Sequence, residues 1–384
     1  MRIGIDYTAA VRQGAGIGRY TRNLIRTLAD LDAKNQYKLF VAGGWGRGDG
    51  LGSWPINFSI CSVPLSDRWV SVLWQRLRLP LPIQALTGPL DLFHSPDFVL
   101  PPTGHAPAIL TVHDLSFLRV PEFFVPGFRE YLETAVLRAV KRARHILADS
   151  ANTRRDLIEL MAVEPERVSI LYPGVESRFQ PVNDAEALER VRVCYGLPER
   201  FILGLGTLQP RKNFNGLIDA FRCLLATGGA ESQIPDLHLV IVGGRGWMYQ
   251  DILALAKGYG LEERVHFPGF VADSDLPALY SLASVFAFPS WYEGFGLPVL
   301  ESMACGTPVV TADNSSLPEV VGEAGLMVAA GDSAALAEAI GQLIIDQDLR
   351  ARLVPAGRQH AKSFTWESAG KCLLNLYQSY HRAT

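Results

Sequence analysis

Short apolar runs alternate with helix-like segments along the whole chain, and this alternation limits the fold more than any other feature. The runs lie at 2–6, 37–42, 57–63, 90–94, 107–112, 145–148 and 168–171. They resume at 201–206, 237–243, 264–267, 285–288, 307–311 and 326–328. Strands separated by helices form parallel sheets, because a parallel neighbour needs a long crossover. Each half of the chain holds about six strands, enough for one doubly wound sheet. The reading is therefore an α/β chain with two Rossmann-like, doubly wound domains.

The boundary falls in the punctuated stretch containing Pro173, Gly174 and Pro181, after which Phe201–Gly206 opens a new sheet. The expected domains are 1–178 and 179–365. An amphipathic helix over Trp366–Tyr380 leads the tail 366–384 back to the first domain. Two such domains predict a ligand cleft between them.

Lys and Arg total 36 against 39 Asp and Glu. Without a basic excess to displace counterions, nucleic acid is not expected as a partner. The five cysteines are scattered and form no C-x-x-C pair, and they read as reduced, mostly buried thiols. The chain opens directly on a strand-like segment and contains no run of 18 apolar residues. The expectation is a cytoplasmic protein.

Four segments carry chemistry. Gly14-Ala15-Gly16-Ile17-Gly18 lies between the first strand and a helix expected near Arg19. Glycines let backbone approach a ligand, and a helix N-terminus favours an anion. The G-x-G-x-G spacing and the missing acid after Val41-Ala42-Gly43-Gly44 argue against a dinucleotide fingerprint. A plain tight turn is the alternative. His113-Asp114 follows an apolar strand, at the end where open α/β sheets bind ligands. His113 suits a hydrogen bond to a sugar hydroxyl, with Asp114 orienting it or capping a turn; a purely structural histidine is the alternative.

Arg211 and Lys212 share a loop with a helix N-terminus, which suits a pyrophosphate. Adjacent side chains diverge on a regular element, so one of the two is expected to face solvent. The richest segment runs from Val285 to Gly306. A strand enters a glycine-rich loop carrying Glu293, and Pro298 fits the first turn of a helix that ends at Gly306. Glu301 is expected in that first turn, where a carboxylate also favours the helix dipole. The amides of Gly294, Phe295, Gly296 and Leu297 suit phosphate.

At this point the residues resemble a known family. Glu293 and Glu301 are similar to the E-x7-E pair of retaining glycosyltransferases built on two Rossmann-like domains facing a cleft, the GT-B fold. The run Glu293–Val310 resembles glycosyltransferase family four. Gly206–Asn213 and Asn314–Glu319 look like its mannosyltransferase-like bacterial branch. The resemblance implies a hexosyltransferase that uses a nucleotide-sugar donor, with GDP-mannose first among candidates, and a glycan or lipid-linked acceptor in polysaccharide biosynthesis. It implies that Glu301 binds the donor ribose and Glu293 the donor sugar, with the Gly294–Leu297 amides on the phosphates. Lys212 would neutralise the departing pyrophosphate, and His113 would touch the transferred sugar. Gly16 and Gly18 would approach phosphates and acceptor, and backbone around Gly269, Phe270 and Val271 would hold the base. Many family members carry an arginine after the strand-ending glycine; Thr207 stands there in this sequence, and Arg211 is the candidate to supply that charge.

The resemblance implies no cofactor, and no Asp-x-Asp or histidine-cluster metal site is identified. It favours attack on the face from which the leaving group departs, with no carboxylate nucleophile. The alternatives are a nucleotide-sugar epimerase or hydrolase and a non-catalytic sugar-nucleotide sensor. Finally, Asp67–Leu79 sets Trp69, Val72, Leu73, Arg76 and Leu77 at helical spacing, flanked by Arg68, Trp74 and Arg78. With the basic stretch Arg138–Arg144 it suits a peripheral contact with the inner face of a membrane. A core-facing helix and a solvated face are the alternatives.

Overall fold

The computed structural model describes residues 1–382 except 15, 44–52, 67–68, 71, 78 and 228–235. The chain divides into two compact units. The first comprises Met1–Leu118, Pro126–Gly174 and Thr365–Thr384; the second comprises Arg119–Val125 and Val175–Phe364.

The first unit contains β1 (Arg2–Asp6), β2 (Gln36–Ala42), β3 (Phe58–Val63), β4 (Leu92–Ser95), β5 (Ala108–Val112), β6 (His145–Ala148) and β7 (Val168–Ile170). They form one sheet in the order β3-β2-β1-β4-β5-β6-β7, with every pair parallel. Strands β4, β5 and β6 are buried along their whole length, which is why they read as mainly apolar segments, with His94, Ser95, Thr111 and His145 as buried polar exceptions. The order reverses between β1 and β4, the place where such sheets bind ligands.

The helix Gly16–Leu31 lays Leu24, Ile25 and Leu28 on Ile3, Ile5 and Leu39. The closing helix Trp366–Arg382 adds Trp366, Ala369, Leu373 and Tyr377 to the same core. Gly174 allows this return, because a Cβ there would stand 2.0 Å from the Trp366 amide nitrogen. Inside the core, His94 Nδ1 lies 2.6 Å from the Tyr377 hydroxyl and Nε2 lies 3.0 Å from Thr111 Oγ1. Burial, with the nearby positive His113, drops His94 to about 3, so it is neutral.

The second unit contains β8 (Arg200–Leu205), β9 (Leu237–Val242), β10 (Val265–Gly269), β11 (Val285–Phe288), β12 (Val309–Ala312) and β13 (Leu326–Val328). The order β10-β9-β8-β11-β12-β13 is again all parallel, with its reversal between β8 and β11. Leu203, Val240, Phe286 and Val299 build the core on one face; Ile202, Leu239, Phe221 and Leu343 build it on the other. The segment Arg119–Val125 is anchored here by aromatics. Phe123 stacks on Trp291 at 5.8 Å, and Trp247 Nε1 donates to the Phe123 carbonyl at 2.7 Å.

Three expectations need correction. Of the five cysteines only Cys305 is buried; Cys194 and Cys372 are exposed, because they fall on the outer faces of amphipathic helices. The helix after the glycine loop begins at Gly16 rather than Arg19, preceded by a short helix Thr8–Arg12. The segment Asp67–Leu79 is not one regular helix where it is described: Val72–Arg76 forms a π-helical turn. Asp67, Arg68 and Arg78 lie outside the described residues.

Candidate active site

In the second unit, the loops that follow β8 and β11 meet at the point where the strand order reverses. The first forms a 3-10 turn, Pro210–Lys212, closed by Asn213 in the left-handed region at φ 55°. The second carries Glu293 into the helix Leu297–Ala304. Lys212 Nζ lies 2.6 Å from Glu293 Oε1, and Arg211 Nη1 lies 3.1 Å from Oε2. Both cations therefore turn inward, against the expectation that one faces solvent. A 3-10 turn does not impose the side-chain spread of a regular element. The Trp291 amide also pins the Arg211 carbonyl at 2.9 Å, and the Arg211 guanidinium donates to the Tyr292 carbonyl.

Burial alone would raise the Glu293 carboxyl. The charges of Arg211 and then Lys212, with the Lys212 hydrogen bond, outweigh it and hold the group at about 2. Lys212 is further confined over the Phe288 ring, 5.0 Å from its centroid.

Neighbouring residues hold the two loops. Asn213 Nδ2 donates to the carbonyls of Pro289 (3.0 Å) and Ala330 (2.7 Å). Ser315 Oγ accepts from the Glu293 amide at 3.0 Å, and Ser316 Oγ donates to the carbonyls of Glu293 and Phe295. Gly296 adopts φ 124°, a conformation that favours glycine, and so starts the helix sharply. The amides of Gly294, Phe295, Gly296 and Leu297 thus stand at a helix N-terminus, beside Glu293.

Glu301 is 1% exposed and lies in the second turn of its helix, not the first, because the helix begins at Leu297. At that position the carboxylate gains little from the helix dipole, which falls off beyond the first turn. Its Oε2 accepts from the Tyr280 hydroxyl at 3.0 Å. Burial, with the negative Glu301 nearby, pushes the Cys305 thiol up to about 12. Gly269 closes β10 at φ 84°, followed by an exposed Phe270 and a buried Val271. The next amide, of Ala272, donates to Tyr195 Oη at 3.1 Å.

Gly16, Gly18 and His113 belong to the first unit. Gly18 is a packing glycine, since a Cβ would stand 2.0 Å from the Gln13 carbonyl oxygen, whereas Gly16 has open space and φ 40°. Arg22 Nη1 holds this turn through the carbonyls of Ala10 and Gln13. His113 follows β5. Its Nδ1 lies 2.6 Å from Asp149 Oδ2 and its Nε2 lies 2.9 Å from the Pro96 carbonyl. Both partners are acceptors, so both ring nitrogens donate and the ring is an imidazolium. Burial opposes the charge, but Asp149, and Asp97 beside it, raise His113 to about 9. Asp114 accepts from the Ser116 amide and hydroxyl, capping a turn rather than orienting His113. Asp6, at the end of β1, is half-buried, and desolvation raises it to about 6.

Sequence reasoning assigned no role to Asp149, Tyr280, Asn213, Ser315 or Ser316. Asp149 was findable, because it follows β6 as His113 follows β5. It also missed that Asp-x-Asp triplets occur, at Asp30–Asp32, Asp273–Asp275 and Asp346–Asp348. Asp32 accepts from Tyr37 Oη at 2.6 Å, Asp275 from Tyr195 Oη at 2.8 Å, and Asp346 caps a helix.

Residues 14–179 match the model of Glycosyltransferase Family 4, and residues 196–360 match that of Glycosyl transferases group 1. O-antigen chain mannosyltransferase B of Escherichia coli is 32% identical over 376 residues, covering 94% of this chain and 96% of that protein. Among solved structures, sucrose-phosphate synthase of Thermosynechococcus elongatus superposes with TM-score 0.78 at 22% identity, over 100% of both chains. Anabaena HepE in complex with UDP and glucose superposes with TM-score 0.76 at 21% identity, over 99% of this chain and 100% of that one. The two superpositions speak for the fold. Together with the near full-length relative and the two domain matches, they establish that the chain belongs to glycosyltransferase family 4, with a group 1 second half, and is a glycosyltransferase of the GT-B fold.

Proposed function

We propose that the protein is a retaining mannosyltransferase that uses GDP-mannose and acts on a glycan or lipid-linked acceptor in polysaccharide synthesis. The observation that carries this reading is the buried cluster of Arg211, Lys212 and Glu293 beside the Gly294–Leu297 helix start. Two cations and a set of amides in one dry place match a diphosphate leaving group. The choice of mannose is supported by the sequence resemblance and by the mannosyltransferase from Escherichia coli, which aligns along nearly the whole chain.

In this reading the bond between the anomeric carbon and the β-phosphate oxygen breaks, and negative charge collects on the departing diphosphate. Lys212 and Arg211 neutralise it. The acceptor oxygen bonds to the same face of the sugar, and its proton passes to the departing phosphate oxygen. Glu293 contacts the sugar. Both its oxygens are already held by cations, which supports a binding role over a nucleophilic one. Glu301 accepts the ribose hydroxyls, and backbone at Gly269 and Val271 meets the base. Gly16 and Gly18 approach phosphates and acceptor. His113 offers a fixed positive charge near the transferred sugar; both ring nitrogens are engaged, so its N–H groups do not serve a sugar hydroxyl.

The acceptor reading places the protein against the inner face of a membrane. Leu65, Trp69, Leu77, Leu79 and Leu81 are exposed apolar side chains clustered in one stretch of sequence. Among the basic residues, Arg142 is committed to the carbonyls of Leu100 and Pro101, and the exposed Lys141 and Arg144 are the candidate lipid-facing charges. Among the described residues no helix is long and apolar enough to cross a membrane.

A thermal-shift screen of nucleotide sugars tests the donor. GDP-mannose at a hundredfold its Kd should stabilise the protein by about 2.7 kcal/mol, and selective stabilisation by UDP-sugars would overturn the choice. Arg211→Ala should lower kcat/KM by roughly tenfold to a hundredfold, the value of one charged hydrogen bond, and unchanged kinetics would remove Arg211 from the leaving-group site.

For His113 the folded value lies above the unfolded one of about 6.5. The stabilisation from its pairing is therefore fully present below about pH 6.5 and is lost as pH rises through about 9. In denaturant melts between those pH values, wild type should lose up to about 3 kcal/mol and Asp149→Asn should lose much less. Equal slopes would rule out the imidazolium. Co-sedimentation with anionic vesicles should fall when Trp69 and Leu77 are both changed to serine; a wild type that stays in solution would reject the membrane contact.

A further inference from the structure

We propose that Tyr280 is a positioning residue that holds the Glu301 carboxylate in the orientation that accepts the two ribose hydroxyls of the donor. This inference rests on the reading of Glu301 as the ribose anchor.

The geometry is confined to the second unit. Tyr280 lies on the helix Leu276–Leu282 and is fully buried, and its hydroxyl donates to Glu301 Oε2 at 3.0 Å. The direction of that hydroxyl is fixed by its ring. It packs edge-on against Phe286 at 5.5 Å and Phe179 at 6.1 Å. The two helices are also tied through Thr307. Its hydroxyl donates to the Tyr280 carbonyl at 2.5 Å, and its amide donates to the Ser302 carbonyl at 3.1 Å.

A phenol bonded to a carboxylate is a charge-assisted, directional contact that sets the plane of the carboxylate. A ribose presents two adjacent O–H donors, so the orientation of that plane decides whether both are met. The same helix reaches the expected base loop. Asp275, the residue before the helix, accepts from Tyr195 Oη at 2.8 Å, and Tyr195 Oη accepts from the Ala272 amide at 3.1 Å. One short helix thus connects the ribose carboxylate to the backbone following Val271. Tyr280→Phe keeps the ring and its packing and removes only the hydroxyl.

The test measures Kd by calorimetry for GDP, UDP and ADP and for their 2′,3′-dideoxy forms, on the full chain, with wild type and Tyr280→Phe. For the nucleotide that wild type binds most tightly, its dideoxy form should bind at least tenfold more weakly. Tyr280→Phe should weaken the ribose form by about tenfold and leave the dideoxy form unchanged, and it should raise the donor KM with kcat retained. Wild type that does not separate the two forms would remove Glu301 as the ribose anchor, and binding of none of the three would remove the donor-site reading; the proposal falls with either. A wild type that separates them and a variant that does so equally well would overturn Tyr280 alone. Equal loss on both forms would show a merely structural hydroxyl. Should Tyr280→Phe fail to fold, Thr307→Val, which loosens the Tyr280 carbonyl tie, must produce the same selective loss, and the proposal fails if it does not.

Discussion

Glu293 is a buried carboxylate met by two positive charges from the opposite side of the strand reversal. Arg211 and Lys212 arrive on the loop after β8, while Glu293 arrives on the loop after β11. The two loops are therefore held together by charge. Removing Glu293 would leave two adjacent cations uncompensated, a loss of about 3–5 kcal/mol in comparable cases. Asn213, Ser315 and Ser316 spend their hydrogen bonds on the backbone of these loops, which keeps the charges in register. The arrangement also keeps Arg211 and Lys212 beside each other without a ligand, because Glu293 offsets their mutual repulsion. In the proposed reading, a diphosphate entering the site would compete for the same cations.

The first unit shows how little sequence context distinguishes two histidines in opposite charge states. His94 and His113 both stand at or just beyond the carboxyl ends of central strands. His94 meets two hydroxyls and no carboxylate, so burial keeps it neutral. His113 meets Asp149 on one side and a carbonyl on the other, so both nitrogens carry protons. The charge on His113 in turn lowers His94 further. The difference lies in residues that are remote in the chain.

The parallel sheets were legible in the sequence because buried strands leave mainly apolar segments between helices. Each such segment corresponds to a strand, with ends displaced by up to two residues. Glu293, Lys212 and the glycine loop were legible because loops after strands collect ligand-binding groups. What stayed hidden was pairing at a distance. No local pattern connects Tyr280 to Glu301, or Asp149 to His113 across 36 residues. Helix phase was hidden as well: a start at Leu297 moved Glu301 out of the first turn. The Arg211–Lys212 turn was misjudged because a rule for regular elements was applied to a 3-10 turn.

The return of the closing helix to the first sheet has a consequence for biosynthesis. Trp366, Ala369, Leu373 and Tyr377 are core residues of a unit whose strands all precede the stretch Val175–Phe364 in the sequence. That core cannot close until the residues through Tyr377 have left the ribosome. The second unit draws nearly all its residues from the unbroken stretch Val175–Phe364, so its core is complete in sequence before the first unit's is. Domains usually gain structure in the order in which they emerge. Here the chain path opposes that order, because part of the first unit's apolar core is supplied only by the helix Trp366–Arg382, after the whole of Val175–Phe364.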